Sequence, residues 1–260
     1  MTRKSIALIL SMGVAASPAW ADDPIATDRP DFVESSQTVG LGRWQIETSV
    51  AWEEDEDGAF EASAFSTPTL LRYGFAEHWE LRFETDGFID AELRGPGLRV
   101  DEDGVADLAV GLKYHVPGSG ENGGPSMAWL MHVDLDTGSS AFRGDGARPS
   151  LRLVAEWELP NDMSLGVMPG VIYDNGDEGR YAAGIFGIVV GKGWTDRFRT
   201  FAELAMPQIA SSSDGGTQAA LDLGGAYLIN NNTQWDFAGS VGLNNRTPDL
   251  GLTTGLSIRW

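Results

Sequence analysis

The chain has 260 residues, 42% hydrophobic and 22% charged, an ordinary balance for a folded protein that argues against wholesale disorder. Its 18 Lys and Arg stand against 38 Asp and Glu, a formal net charge of -20. That surplus argues against a nucleic-acid partner, because phosphate neutralisation needs a basic surface. The absence of Cys excludes disulfide scaffolds and thiolate metal sites.

Residues 1–21 read as a cleaved export signal. Arg3 and Lys4 precede an apolar run from Ser5 to Ala16, and Ala19-Trp20-Ala21 supplies a small-x-small cleavage site. The run stops at Ser17-Pro18, short of the ~20 apolar residues that a membrane-crossing helix needs. Residues 22–42 form a polar, Pro-punctuated segment. Two readings of it stay open, a periplasmic tail or a lumen plug, with Asp28, Arg29 and Asp31 as the plug candidates.

From residue 43 to 260 the sequence alternates with period two, which predicts strands. The first has Trp44, Ile46, Thr48, Val50 and Trp52 on one face and Arg43, Gln45, Glu47 and Ser49 on the other. Eleven more follow, with Tyr73, Trp79, Tyr114, Trp129, Trp157, Tyr227, Trp235 and Trp260 on apolar faces. Their opposite faces carry Glu80, Arg82, Glu84, Asp107, Lys113, His132, Asp134, Arg152, Glu156, Arg199, Glu203, Asp222, Asp236 and Arg259.

A soluble sandwich also alternates, but three features point to a membrane. The strands are ~9–11 residues long, their number is even, and the aromatics are placed as a girdle. With both termini in the periplasm, Trp44, Trp79, Trp129 and Trp235 open outward strands, while Tyr73, Tyr114, Trp157, Tyr227 and Trp260 close returning ones. All nine then lie at one level, as an interfacial belt does. The predicted fold is an all-β, transmembrane, antiparallel up-and-down barrel of about twelve strands over residues 43–260. Short turns are expected at 74–78, 160–162, 191–196 and 229–234, and outer loops at 53–61, 88–104, 137–148 and 207–216.

Several stretches resemble a known family, the outer-membrane transporters associated with the meta-pathway of phenol degradation. They are Thr27-Asp28-Arg29-Pro30-Asp31-Phe32, Gly42-Arg43-Trp44-Gln45-Ile46-Glu47, Leu70-Leu71-Arg72-Tyr73-Gly74, Trp79-Glu80-Leu81-Arg82 and Asp107-Leu108-Ala109-Val110-Gly111-Leu112-Lys113-Tyr114. The resemblance implies uptake of aromatic or other hydrophobic compounds. This chain ends in Trp where the family more often has Phe, and the acidic run at 53–57 is its own.

The inward charges have a bland reading, a network that stabilises a polar interior, and a functional one, rows that set the selectivity of a solute path. His132 near Asp134 is the one arrangement resembling a base and its orienter, but no nucleophilic Ser stands beside it, so no catalytic residue is expected. Neither a metal nor a cofactor is expected. The expected function is passive uptake of small molecules across the outer membrane of a Gram-negative bacterium. The alternatives are a structural or adhesive barrel acting through its acidic loops, or an outer-membrane hydrolase. Expected partners are outer-membrane lipid, the assembly machinery that would read the C-terminal strand, and a small-molecule solute.

Overall fold

The computed structural model describes residues 23–176 and 179–260; the expected export signal lies outside the described residues. The strand segments in chain order are β1 (Trp44–Asp57), β2 (Phe60–Ser66), β3 (Thr69–Ala76), β4 (Trp79–Thr85), β5 (Phe88–Gly95), β6 (Leu98–Val105), β7 (Leu108–His115) and β8 (Ser126–Leu135). There follow β9 (Arg148–Leu159), β10 (Met163–Gly176), β11 (Gly179–Thr195), β12 (Phe198–Ile209), β13 (Ala220–Asn230), β14 (Thr233–Gly242) and β15 (Leu250–Arg259). Neighbours pair antiparallel, and β15 returns to β1 from Gln45↔Arg259 to Glu54↔Leu250. A closed ladder leaves no sheet edge in the barrel wall, which is what a strand protein needs in lipid.

The wall has twelve strands, the predicted number. Three of them are interrupted at one level, so that β2, β5 and β6 continue β3, β4 and β7 outward. At this break Pro68 has no N–H for the ladder, and Gly87 takes φ +69. A Cβ at Gly87 would lie 2.3 Å from the Thr67 carbonyl oxygen, so the close crossing requires glycine.

Stretches 53–61 and 88–104, expected as loops, are therefore ordered sheet. The outer half of β1 pairs with β2, then β5 and β6 follow, making a four-stranded flap above the barrel rim. Alternation fades here because both faces of the flap meet water, so charge no longer marks one side. Residues 137–147 do form a loop, and residues 160–162 a tight turn with Asn161 and Asp162 at positive φ.

The aromatic residues gather at the short-turn end. Trp44 stacks on Tyr73 with ring centroids 4.4 Å apart, Trp79 lies 4.5 Å from Tyr114, and the register pairs Tyr114 with Trp129 and Tyr227 with Trp235. Trp157 pairs with Leu165 beside the 160–162 turn, and Trp260 exchanges two backbone hydrogen bonds with Trp44. Trp52 pairs with Phe65 toward the other end.

Inside, the wall has two characters. On β1, β3, β4 and β7 the inward residues Gln45, Glu47, Arg72, Glu80, Arg82 and Lys113 are polar and buried. On β8 to β12 they include Leu130, Val154, Met168, Val189 and Phe201, a hydrophobic cluster within the lumen. The expected all-polar interior is thus corrected on one side. Runs such as Trp129-Leu130-Met131 and Ile188-Val189-Val190 carried the signal, since an apolar residue on both faces marks a strand buried on both.

Candidate functional site

The N-terminal segment supplies what that interior closes on. Ile25 donates its N–H to the Asn231 carbonyl in the β13–β14 turn, so the segment enters at the short-turn end. It rises to a tip at Arg29, Pro30, Asp31 and Phe32, then descends to Gly40, just before the turn that leads into β1. At that exit a Cβ on Gly74 would lie 1.8 Å from the Gly40 carbonyl oxygen, so Leu70-Leu71-Arg72-Tyr73-Gly74 ends in the one residue that fits.

The segment has no ladder of its own, so its buried N–H groups need other acceptors. Carboxylates of the barrel provide them. Glu47 accepts from Asp28 and Arg29 at 2.9 and 3.1 Å, and Glu203 from Phe32 and Val33 at 2.7 Å each. Glu156 accepts from Ser36 at 2.5 Å and Glu80 from Val39 at 3.0 Å. Four of the inward acids read from the alternation are therefore occupied by backbone.

The side chains of the segment pair with the basic residues. Asp28 receives Lys113 Nζ on both oxygens at 2.8 Å and Arg82 Nη1 at 2.5 Å, with Arg72 3.4 Å away. Burial alone would raise the Asp28 carboxyl, but Arg72, Lys113 and Arg82 outweigh it and hold it well below the usual carboxylate range. Arg72 also donates to Glu47 and Glu80, and to the carbonyls of Ala26 and Gln37. Glu34, which carried no signal in the sequence, lies 2.7 Å from Arg82 and accepts from Arg152 at 3.0 Å. Around the tip, Arg29 donates to Asp236 at 3.1 Å and Arg199 meets Asp31 at 3.2 Å. Phe32 and Val33 pack on the apolar wall.

Other inward candidates fall outside this cluster. Asp107 sits at the outer rim, accepting from Gly138, Gly144 and Arg148 and thereby shaping the 137–147 loop rather than lining the lumen. Asp134 lies 3.9 Å from the same Arg148. Arg259 is at the short-turn end, bonded to Asn232 and the Asp23 carbonyl. Glu84 and Asp222 face cavities. His132 Nε2 accepts from Arg82 Nε at 3.0 Å and stands 4.0 Å from Glu84. Its lone pair is engaged, and Asp134 pairs with Arg148 instead of orienting it, so the base-and-orienter pair does not form. Among the described residues, no cluster of three or more His, Cys, Asp or Glu could hold a metal ion.

The segment narrows the lumen without filling it. Beyond its tip lies a vestibule of about 520 Å³, lined by Phe32, Pro68, Ala205, Ala238 and Pro248 among others, with Asp31 and Asp222. A second cavity of about 250 Å³ lies against Arg82, Glu84 and Arg152. A third, about 240 Å³, sits on the short-turn side of the tip between Val33, Ser164, Gly191 and Arg199. Above the vestibule the flap's inner face adds a hollow of about 370 Å³ over Ala62, Ala64, Ala91, Leu93 and Val100, which shares Glu53 and Pro248 with the vestibule's lining.

Comparison with solved structures returns barrels of the outer membrane. The COG4313 outer membrane channel from Pseudomonas putida F1 aligns over 87% of this chain and 98% of its own, with a TM-score of 0.64 and 10% identity. The KdgM porin in complex with disordered oligogalacturonate covers 82% and 98% (TM-score 0.53, 10% identity). The beta domain of the Bordetella autotransporter BrkA covers 84% and 98% (TM-score 0.51, 15% identity). Identities this low establish the shared fold. No curated protein matches in sequence. The family model described as "Putative MetA-pathway of phenol degradation" matches residues 27–260. That span begins within the N-terminal segment and ends with the last strand, and the chain belongs to this family.

Proposed function

We propose that the protein is an outer-membrane channel through which small solutes pass by diffusion, with apolar molecules of about aromatic size as the favoured class. The observation that carries this is the sequence of spaces along the lumen: the flap hollow and the vestibule are both lined by Glu53 and Pro248, and the vestibule and the inner cavity by Asp31 at the segment's tip. The route runs beside alanines, prolines and Phe32 for most of its length, with acids at intervals. A hydrophobic molecule loses little by leaving water against those apolar stretches, and a polar substituent on it can bond to side chains such as Asp31, Asp222 and Arg199. The β1–β15 seam is paired along ten positions, which favours passage along the lumen over exit through this seam.

The same reading places lipid against the apolar outer face and assigns the terminal strand, ending at Trp260, to recognition by the assembly machinery. The experiment is uptake into liposomes holding the mature chain, with phenolic compounds compared against sugars and inorganic ions. After subtraction of entry into protein-free liposomes, phenolics should enter faster than sugars of similar size. If no solute permeates, the channel reading fails and a structural barrel takes its place.

A further inference from the structure

The segment is held in two different ways. Its stem is fixed by charges with almost no access to water: the side chains of Arg72 and Lys113 are 0% exposed and that of Asp28 is 3% exposed. The tip contact between Arg199 and Asp31 is looser. Its two hydrogen bonds are 3.2 and 3.3 Å long, and the side chains are 35% and 12% exposed. An ion pair in contact with water is weak because solvent screens it, whereas separating buried charges leaves each of them unsolvated.

The position of the loose pair matters as much as its strength. Among the described residues, Asp31 alone borders the vestibule, the second cavity and the inner cavity. Arg199 borders the inner one. Their contact thus stands where the vestibule and the inner space meet. Arg199 rises from the start of β12, so a change of its side-chain rotamers separates the pair without moving backbone. Glu156 lines the same inner cavity and offers the displaced guanidinium another carboxylate.

We infer that the Asp31–Arg199 pair, and not departure of the whole segment, controls passage between vestibule and inner cavity. A solute passes when Arg199 swings aside, while the Asp28 stem stays in place. Within the favoured aromatic-sized class, molecules with one polar group that can accept from the guanidinium during the swing pass more readily than those with none. Arg199 and Asp31 are then the residues that set selectivity.

The inference rests on the channel reading, and one set of measurements separates the two. Phenol uptake by liposomes and ion conductance in planar bilayers are recorded for the wild type, Asp31→Asn, Arg199→Gln and Arg199→Lys. A fourth variant, Ser36→Cys with Ser126→Cys, ties the stem to the wall on oxidation. The two Oγ atoms are 2.7 Å apart and the chain has no other cysteine. Heat-modifiable electrophoretic mobility selects folded barrels.

Asp31→Asn and Arg199→Gln should raise both rates several-fold, Arg199→Lys should stay near wild type, and the tethered protein should pass solute as the wild type does. A tether that abolishes passage overturns the inference, because the stem then has to leave. Wild-type flux that neither neutral variant changes overturns it too, but leaves the channel standing. If no protein in the set passes any solute, both fail. If the wild type is closed and Asp31→Asn is open, the pair is the barrier.

Discussion

Lys113 donates to both carboxylate oxygens of Asp28 at 2.8 Å, joining two motifs that lie 85 residues apart in the chain. Arg82 and Arg72 complete the enclosure of the same carboxylate. Asp28→Asn removes an acid shared by three buried cations. Taking one partner from a buried pair costs ~3–5 kcal/mol, so the variant should release residues 23–42 to added protease and lower the unfolding midpoint. Protection and a midpoint equal to wild type would show that Asp28 anchors nothing.

The same site has a defined pH dependence. The folded Asp28 carboxyl titrates below its ordinary value of 3.8, so its contribution is complete above that value. It declines as pH falls further and is lost only once pH passes the folded value. Protease protection of the segment should therefore persist at a pH just below 3.8, in the wild type but not in Asp28→Asn. Release of the wild-type segment above pH 3.8 would contradict this sign.

At the outer rim, Asp107 accepts from the N–H groups of Gly138 and Gly144 at 2.9 and 2.8 Å, and from Arg148 at 2.9 Å. Burial raises its carboxyl, but the bonds from Gly144 and Gly138 and the Arg148 charge prevail and hold it below its ordinary value. Asp107→Ala leaves those donors without their acceptor, at a cost of ~1–3 kcal/mol. Residues 137–147 should become cleavable by protease while the barrel keeps its heat-modifiable mobility. An equally resistant loop would assign its order to other contacts.

The aromatic girdle makes a depth prediction. Single-tryptophan variants retaining Trp44, Trp129, Trp157 or Trp235 should be quenched to the same degree by lipids brominated at a given chain depth in one leaflet. Trp52, on the far side of β1, should differ from all four. Scattered depths among the four would dissolve the belt.

Much of the barrel was legible because lipid enforces a simple rule. Each strand that separates lipid from a polar interior must alternate, and Trp44, Ile46, Thr48 and Val50 against Gln45, Glu47 and Ser49 do so plainly. Where either side of that rule failed, the reading failed with it. In the flap, Asp57, Arg94 and Asp101 are exposed on paired strands, so 53–61 and 88–104 passed for loops. On β8 to β12, Leu130, Val154 and Met168 turn apolar side chains inward, and the assumption of an all-polar lumen hid them.

The candidate site shows the same division. Alternation placed Glu47, Glu80, Arg82, Lys113, Glu156 and Glu203 on one face, which local geometry alone decides. It could not say that four of these acids receive N–H groups of an irregular segment, or that Asp28 and Glu34 bring the cations together. An irregular segment has no periodicity to read, and its partners lie up to 236 residues away in the chain. The acidic excess of the composition was visible from the start and the strand faces gave it a side. Its use as an acceptor set for a backbone without a ladder depends on bringing distant strands around one segment, and only the closed barrel does that.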